Sequence, residues 1–249
     1  MPDMLLVDIG NTRVKAALVG GGGAHLLAAG LTRGAEPFSE WAASIATRPE
    51  RVLVANVAGP EIAAQLVRYA RDRWQIAAEF ALPCRSCAGM TTCYGKPEKL
   101  GVDRWLAALA AFHEARGAVC VVDVGTALTV DVVTAEGSHL GGLIAPGPDL
   151  LRTSLTRGTA QLESEGLSVV EGFADNTRDA ISLGCTDAIG GLLQRVAARL
   201  DSVQPRQSFR WYLTGGAAPV VVALLPEPAV HLPDLVLRGL AVLAMTQQS

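Results

Sequence analysis

Leu6-Val7-Asp8-Ile9-Gly10-Asn11-Thr12 lies near the start of the chain, and Val121-Val122-Asp123-Val124-Gly125-Thr126-Ala127 repeats its design half a chain later. Each is an apolar strand ending in Asp, then one apolar residue, a Gly and a turn that carries a hydroxyl or amide. Each returns through alternating apolar positions: Val14, Ala16 and Leu18 in the first copy, Leu128, Val130 and Val132 in the second. Alternation of period two marks a strand with one buried face. A design used twice in 249 residues implies two lobes of similar build.

The flanking segments extend both copies in the same style. In the first half a hairpin is expected through Gly20-Gly21-Gly22-Gly23, then a helix over 37–46 and a buried strand over 51–55. Pro60 opens a helix with Ile62, Leu66 and Tyr69 on one face. An Ala- and Leu-rich helix over 103–116 stops at Gly117. The second half predicts strands over 119–123, 128–133 and 140–144. A long helix over 177–200 follows, capped by Asn176. A strand over 210–213 meets the Gly215-Gly216 turn, and a last helix starts near Asp234. Strands in hairpins followed by alternating helices and strands, done twice, describe a two-lobed α/β protein, with lobes drawn at 1–117 and 118–249.

Composition narrows the function classes. Half the residues are hydrophobic and 18% are charged, which excludes a disordered chain. Net charge is −3, without the basic excess of a phosphate-gripping nucleic-acid binder. No apolar run reaches the roughly 18 residues that span a bilayer. The start, Met1-Pro2-Asp3, lacks the basic region of a secretory signal, so a soluble cytoplasmic protein is expected, with no nucleic-acid or membrane partner. The five cysteines do not tile the chain as a disulfide framework. Cys84-x-x-Cys87 and Cys93 lack a fourth ligand nearby, the next histidine being His113, and read as reduced thiols. Cys120 and Cys185 sit in apolar contexts and read as packing residues. The four histidines show no metal spacing.

In Asp8-Ile9-Gly10-Asn11-Thr12-Arg13-Val14-Lys15, a glycine lets backbone N–H groups turn toward one point, and Asn11 and Thr12 add neutral donors. That suits a phosphate oxygen. Asp8 can hold a cation or its water shell beside the phosphate, and Lys15 adds charge. The same composition also makes an ordinary β-turn. In the second copy Thr126 is offered to phosphate and Asp123 to a cation. A Gly-x4-Gly-Lys-Ser/Thr loop is absent. Thr214-Gly215-Gly216 reads either as a close approach to a flat ligand such as adenine or as a strand-to-helix turn. Asp103 reads either as a helix N-cap or as the acceptor of a proton from a substrate hydroxyl. Arg104 reads as a fork for a carboxylate or as a solvated arginine at the helix start.

Taken together, Asp8-x-Gly10-Asn11-Thr12-x-x-Lys15, Tyr94-x-x-Pro97-x-x-Leu100-Gly101-x-Asp103-Arg104, Asp123-x-Gly125-Thr126-Ala127, Gly141-Gly142-x-Ile144-x-Pro146-Gly147 and Asn176-Thr177 resemble the type III pantothenate kinases in order and spacing over nearly the whole chain. The resemblance implies two ribonuclease H-like lobes of the actin-like ATPase class, with mixed sheets flanked by helices. It implies ATP-dependent phosphorylation of pantothenate to 4′-phosphopantothenate, the first step toward coenzyme A. Asp8, Ile9, Gly10, Asn11, Thr12, Arg13, Val14, Lys15 and Thr126 would then bind ATP. Asp123 would bind a monovalent cation, K+ or NH4+, and Mg2+ would accompany the nucleotide. Asp103 would be the proton acceptor. Tyr94, Gly101, Val102, Asp103, Arg104 and Thr177 would contact pantothenate in a homodimer, with Thr177 from the partner. The alternatives are a non-catalytic regulator of the same family, another small-molecule kinase on this fold, and an actin-like filament protein. The intact Asp103-Arg104 pair favours the enzyme over the regulator. The Tyr94 to Arg104 segment and the short chain argue against the other two.

Overall fold

The computed structural model describes residues 3–20, 23–31, 48–157, 172–225 and 228–247. The helix expected over 37–46 lies outside the described residues. The chain forms two compact units, Met1–Glu114 with Asp234–Ser249, and Ala115–Pro233. Chain order alone draws the lobes at 1–117 and 118–249; in the structure the C-terminal helix groups with the first unit.

The first unit is built on five strands: β1 (Met4–Ile9), β2 (Arg13–Gly20), β3 (Gly23–Leu31), β4 (Arg51–Asn56) and β5 (Ala78–Phe80), in spatial order β3-β2-β1-β4-β5. Neighbours β1/β2 and β2/β3 are antiparallel, whereas β1/β4 and β4/β5 are parallel. Central β1 is covered on both faces, and so it is continuously apolar over residues 4–7 rather than alternating. Leu5, Val7 and Ile9 pack with Leu66, Ala70 and Trp74 of helix α1 (Pro60–Trp74). The opposite face meets the C-terminal helix, which contacts β1, β2 and β4. Pro60 starts α1 where its missing N–H costs nothing, and Gln75 ends it in the left-handed region at φ 58°. Helix α2 (Val102–Ala115) follows a short hairpin of β6 (Ser86–Cys87) and β7 (Met90–Thr92) and a 3₁₀ turn, Pro97–Lys99.

The second unit repeats the plan with β8 (Val119–Val124), β9 (Ala127–Val133), β10 (Ser138–Pro146), β11 (Arg210–Thr214) and β12 (Ala229–His231), in order β10-β9-β8-β11-β12. The pairing senses match strand for strand. Between β10 and β11 run helix α3 (Pro148–Arg157) and the 27-residue α4 (Thr177–Val203). Ile189, Leu193, Val196 and Leu200 of α4 cover Cys120, Val122 and Val124 of β8, the role α1 plays in the first unit. Short α5 (Ala218–Val221) follows β11, and α6 (Leu235–Thr246) closes the chain against the first sheet. The mixed α/β architecture expected from the doubled turn is the one found. Asn176 caps α4 as expected, its side chain accepting from the Asp179 N–H at 3.0 Å. Helix α3, the β6–β7 hairpin and the three-residue strands β5 and β12 are additions that the sequence pattern did not announce.

Candidate active site

Two turns leave the C-terminal ends of the two central strands. In the first, the Gly10 N–H donates to the Arg13 carbonyl at 2.9 Å, closing a loop of Gly10, Asn11, Thr12 and Arg13 between the paired residues Ile9 and Val14. Asn11, Thr12 and Arg13 are exposed, while Asp8 and Lys15 are half-buried and face each other across the ladder. An acid and a base side by side, with two neutral donors and turned amides above them, can grip an anion and its counter-ion together. In the second turn the Gly125 N–H donates to the Ala127 carbonyl at 2.9 Å, and the loop between Val124 and Leu128 is one residue shorter. Thr126 is exposed at its tip and Asp123 is half-buried at its base.

The second turn is held from two sides. The Gly147 N–H donates to the Thr126 carbonyl at 2.9 Å, and a Cβ at Gly147 would run into the carbonyls of Gly125 and Thr126. Gly215 stands at φ 95°, and a Cβ there would meet the Val124 carbonyl and Asp123 Oδ1. The Ala217 N–H completes this side by donating to Val124 O at 2.9 Å. The close approach that Gly215 permits is therefore to the neighbouring turn, and Gly215-Gly216 leads from β11 into α5.

The third element is the start of α2. The Gly101 carbonyl accepts from the Trp105 N–H at 3.0 Å, which makes Gly101 the residue before the first turn. Asp103 lies inside that turn, and its Oδ1 accepts from the Arg104 N–H at 2.8 Å. The helix cap is thus Gly101, and Asp103 sits where the amide end of the helix favours negative charge. Arg104 is only 8% exposed, and its Nη1 donates to Tyr94 Oη at 3.3 Å. It is a buried fork, rather than a solvated arginine, and a buried guanidinium beside a phenol suits a carboxylate or amide ligand. Thr177 opens α4 and lines an apolar groove of ≈ 360 Å³ with Leu151, Leu155 and Ile181. Asp8 through Lys15, Tyr94 and Gly101 through Arg104 belong to the first unit; Asp123, Thr126 and Thr177 belong to the second.

Among the described residues, no group of three or more His, Cys, Asp or Glu side chains could hold a metal ion. Cys84, Cys87 and Cys93 are free thiols. A single carboxylate beside a turn fits a hard ion that brings its own oxygen ligands, such as one carried by phosphates. Among the described residues, no helix is long and apolar enough to cross a membrane. One pair that sequence reading missed is Asp131 and His139, both almost fully buried, with Oδ1 and Nε2 3.0 Å apart on β9 and β10.

Residues 4–199 match the family model described as "Type III pantothenate kinase". A type III pantothenate kinase from Nitrosococcus oceani is 41% identical, with 96% of this chain and 92% of the relative covered. One from Alkalilimnicola ehrlichii is 40% identical, with 98% of each chain covered. Among solved structures, a Campylobacter jejuni protein described as a Baf family transcriptional activator superposes with TM-score 0.61 at 19% identity, covering 98% of this chain and all of that one. The ADPNP-bound activator of 2-hydroxyisocaproyl-CoA dehydratase from Clostridium difficile superposes with TM-score 0.55 at 11% identity, with 99% and 96% covered. The last two likenesses concern the fold alone.

Proposed function

The chain belongs to the type III pantothenate kinase family, and from that premise we propose the following division of labour in its transfer of a phosphoryl group from ATP to pantothenate. Phosphoryl transfer needs little covalent help; it needs the reactants held in line and their charge neutralised. The turn from Asp8 to Lys15 holds the phosphates through its amides, Asn11, Thr12 and the Lys15 ammonium. Thr126 offers a hydroxyl from the second turn. Asp123, with oxygen atoms of its turn, would hold K+ or NH4+, and Mg2+ would enter on the nucleotide. These cations supply charge neutralisation when bound.

Tyr94 and the segment Gly101 to Arg104 receive pantothenate, with the Arg104 guanidinium reading its polar atoms. Asp103 accepts the proton of the substrate hydroxyl. The hydroxyl oxygen bonds to the γ-phosphorus as the bond from that phosphorus to the β,γ-bridging oxygen breaks, and ADP leaves. Thr177 reaches pantothenate from the second protomer of a homodimer in the cytoplasm. The observation that carries this assignment is the Asp103-Arg104-Tyr94 arrangement: an acid at a helix start beside a buried guanidinium bonded to a phenol.

The test is ADP release by the purified protein with ATP, Mg2+ and pantothenate, in K+ and in Na+. Pantothenate-dependent release that K+ stimulates is expected. In Asp103→Asn, turnover should fall by about 10²-fold or more while ATP still binds, since a positioned base contributes about 10²–10⁴ in rate. Near-normal turnover in that variant would end the assignment of Asp103. Asp123→Ala should lose the K+ stimulation, and unchanged stimulation would remove the cation from Asp123.

A further inference from the structure

The segment from Cys84 to Cys93 has no role in the division of labour above, yet it stands directly before Tyr94. It folds as the β6–β7 hairpin, with Ser86 paired to Thr91 and Cys87 to Met90. Its two-residue turn, Ala88-Gly89, has positive φ at both positions, 44° and 83°. That backbone twist matches the twist of the flanking strands and makes the hairpin tight. Ser86 Oγ and Thr91 Oγ1 lie 2.9 Å apart across the pair. The hairpin is seated on the first unit's helices: the Cys87 thiol is 3.6 Å from Thr246 Oγ1 of α6, and Gly89 approaches the Phe112 ring of α2.

Arg85 stands at the base of this hairpin and spans the loop that follows it. Its Nη1 donates to the Thr92 carbonyl at 3.1 Å, and its Nη2 donates to the Gly95 carbonyl at 3.3 Å. Its own carbonyl accepts from the Thr92 N–H at 3.0 Å. Thr92 is buried, and its hydroxyl accepts from the Tyr94 N–H at 3.3 Å. One planar guanidinium therefore holds both ends of the segment 92–95, and the tyrosine in the middle reaches Arg104. A lysine has one charged centre and cannot make both bonds in fixed relation, so the residue type matters as well as the charge.

We propose that Arg85 is a positioning residue for the acceptor substrate: it fixes the loop that presents Tyr94 to Arg104, and so sets the affinity for pantothenate without touching it. This rests on the reading above, that Tyr94 and Arg104 contact pantothenate. The ATP-binding turns lie elsewhere in the chain, so the effect is confined to one substrate. Arg85 is exposed, and its loss leaves the apolar cores intact.

The experiment compares wild type, Arg85→Gln and Arg85→Lys by steady-state kinetics, thermal melting and amide hydrogen exchange. Arg85→Gln should raise the KM for pantothenate about tenfold, the scale of a lost pair of charge-assisted hydrogen bonds, with kcat and the KM for ATP within about twofold. Its melting temperature should stay near wild type, while the amides of residues 92–96 exchange faster. Arg85→Lys should stay closer to Arg85→Gln than to wild type. An unchanged KM in Arg85→Gln with an active wild type overturns the inference alone. So does full recovery in Arg85→Lys, which would assign the effect to charge. So does a parallel loss of kcat, both KM values and melting temperature, which would make Arg85 a general structural residue. A wild type that releases no ADP with pantothenate overturns the functional reading, and the acceptor role of Arg85 with it.

Discussion

Gly147 shows how one absent side chain governs the geometry of the Gly125-Thr126 turn. Its N–H donates to Thr126 O, and its missing Cβ leaves room for the carbonyls of Gly125 and Thr126. A methyl group there meets backbone on two sides, and backbone cannot swing away as a flexible side chain can. Gly147→Ala should therefore displace the Thr126 turn by a fraction of an ångström to about an ångström. Misplacement on that scale can cost up to about 10²-fold in rate. Turnover should fall at least about tenfold and the KM for ATP should rise, with far-UV circular dichroism unchanged. Unaltered kinetics would show that the turn tolerates the shift. At this scale the two Asp-x-Gly turns were legible in the sequence as turns, because a strand end, a glycine and its polar neighbours form a local unit. The partners of Arg104 and Arg85 were not, because they depend on a loop folding back over about ten residues. The Asp131–His139 pair was hidden by a β-bulge between His139 and Gly141 that breaks the period of two. The bulge turns His139 inward at 1% exposure and leaves Leu140 at 41%, the reverse of what apolar character suggests. His139→Ala, which removes the buried ring nitrogen 3.0 Å from Asp131 Oδ1, should lower unfolding free energy by about 1–3 kcal/mol in urea titration.

Helix boundaries were legible where the termination signal is chemical and local. Pro60 and Asn176 mark the starts of α1 and α4, and α2 lies within one residue of its expected span. Helix α1 ends without the glycine such an end prefers: Gln75 adopts φ 58° so that its N–H reaches the Arg71 carbonyl at 2.9 Å. A Cβ in the left-handed region is strained, so Gln75→Gly should raise stability by about 0.5–1 kcal/mol. A fall would mean that the Gln75 side chain contributes more than its backbone costs. The opposite case lies at the crossing of α2 and α6. A Cβ at Gly239 would run into the carbonyl of Leu106, which sits in the middle of α2. Helices that meet backbone to backbone have no rotamer to adjust, and the crossing must widen. Gly239→Ala should destabilise by about 1–3 kcal/mol in the same titration, despite the better helix propensity of alanine. The sequence offered only an apolar helix at this place. Which sheet it covers is a tertiary choice, made by contacts with β1, β2 and β4 that no local pattern encodes.

At the scale of the whole molecule, the doubling of the Asp-x-Gly strand predicted two similar units, and strands β1–β5 and β8–β12 share one spatial order and sense. The central strands β1 and β8 share one burial pattern, every side chain buried except the half-buried Asp8 and Asp123 near their C-terminal ends. Cys120 on β8 is fully buried, opposite Val132 and Trp211. Burial pushes its thiol pKa up, and the Asp131 charge adds to the shift. Because the folded pKa lies above the unfolded one, the folded chain binds the proton more tightly. That contribution is complete below the unfolded pKa of about 8.5 and is lost as pH climbs toward the folded value. Each such thiol steepens the fall in stability by up to about 1.4 kcal/mol per pH unit above that point. Urea titrations from pH 7 to pH 10 should therefore show a steep alkaline decline in the wild type. Cys120→Ala should start less stable because of its cavity, yet decline more gently. Equal slopes would mean that Cys120 ionises in the folded chain as readily as in the unfolded one.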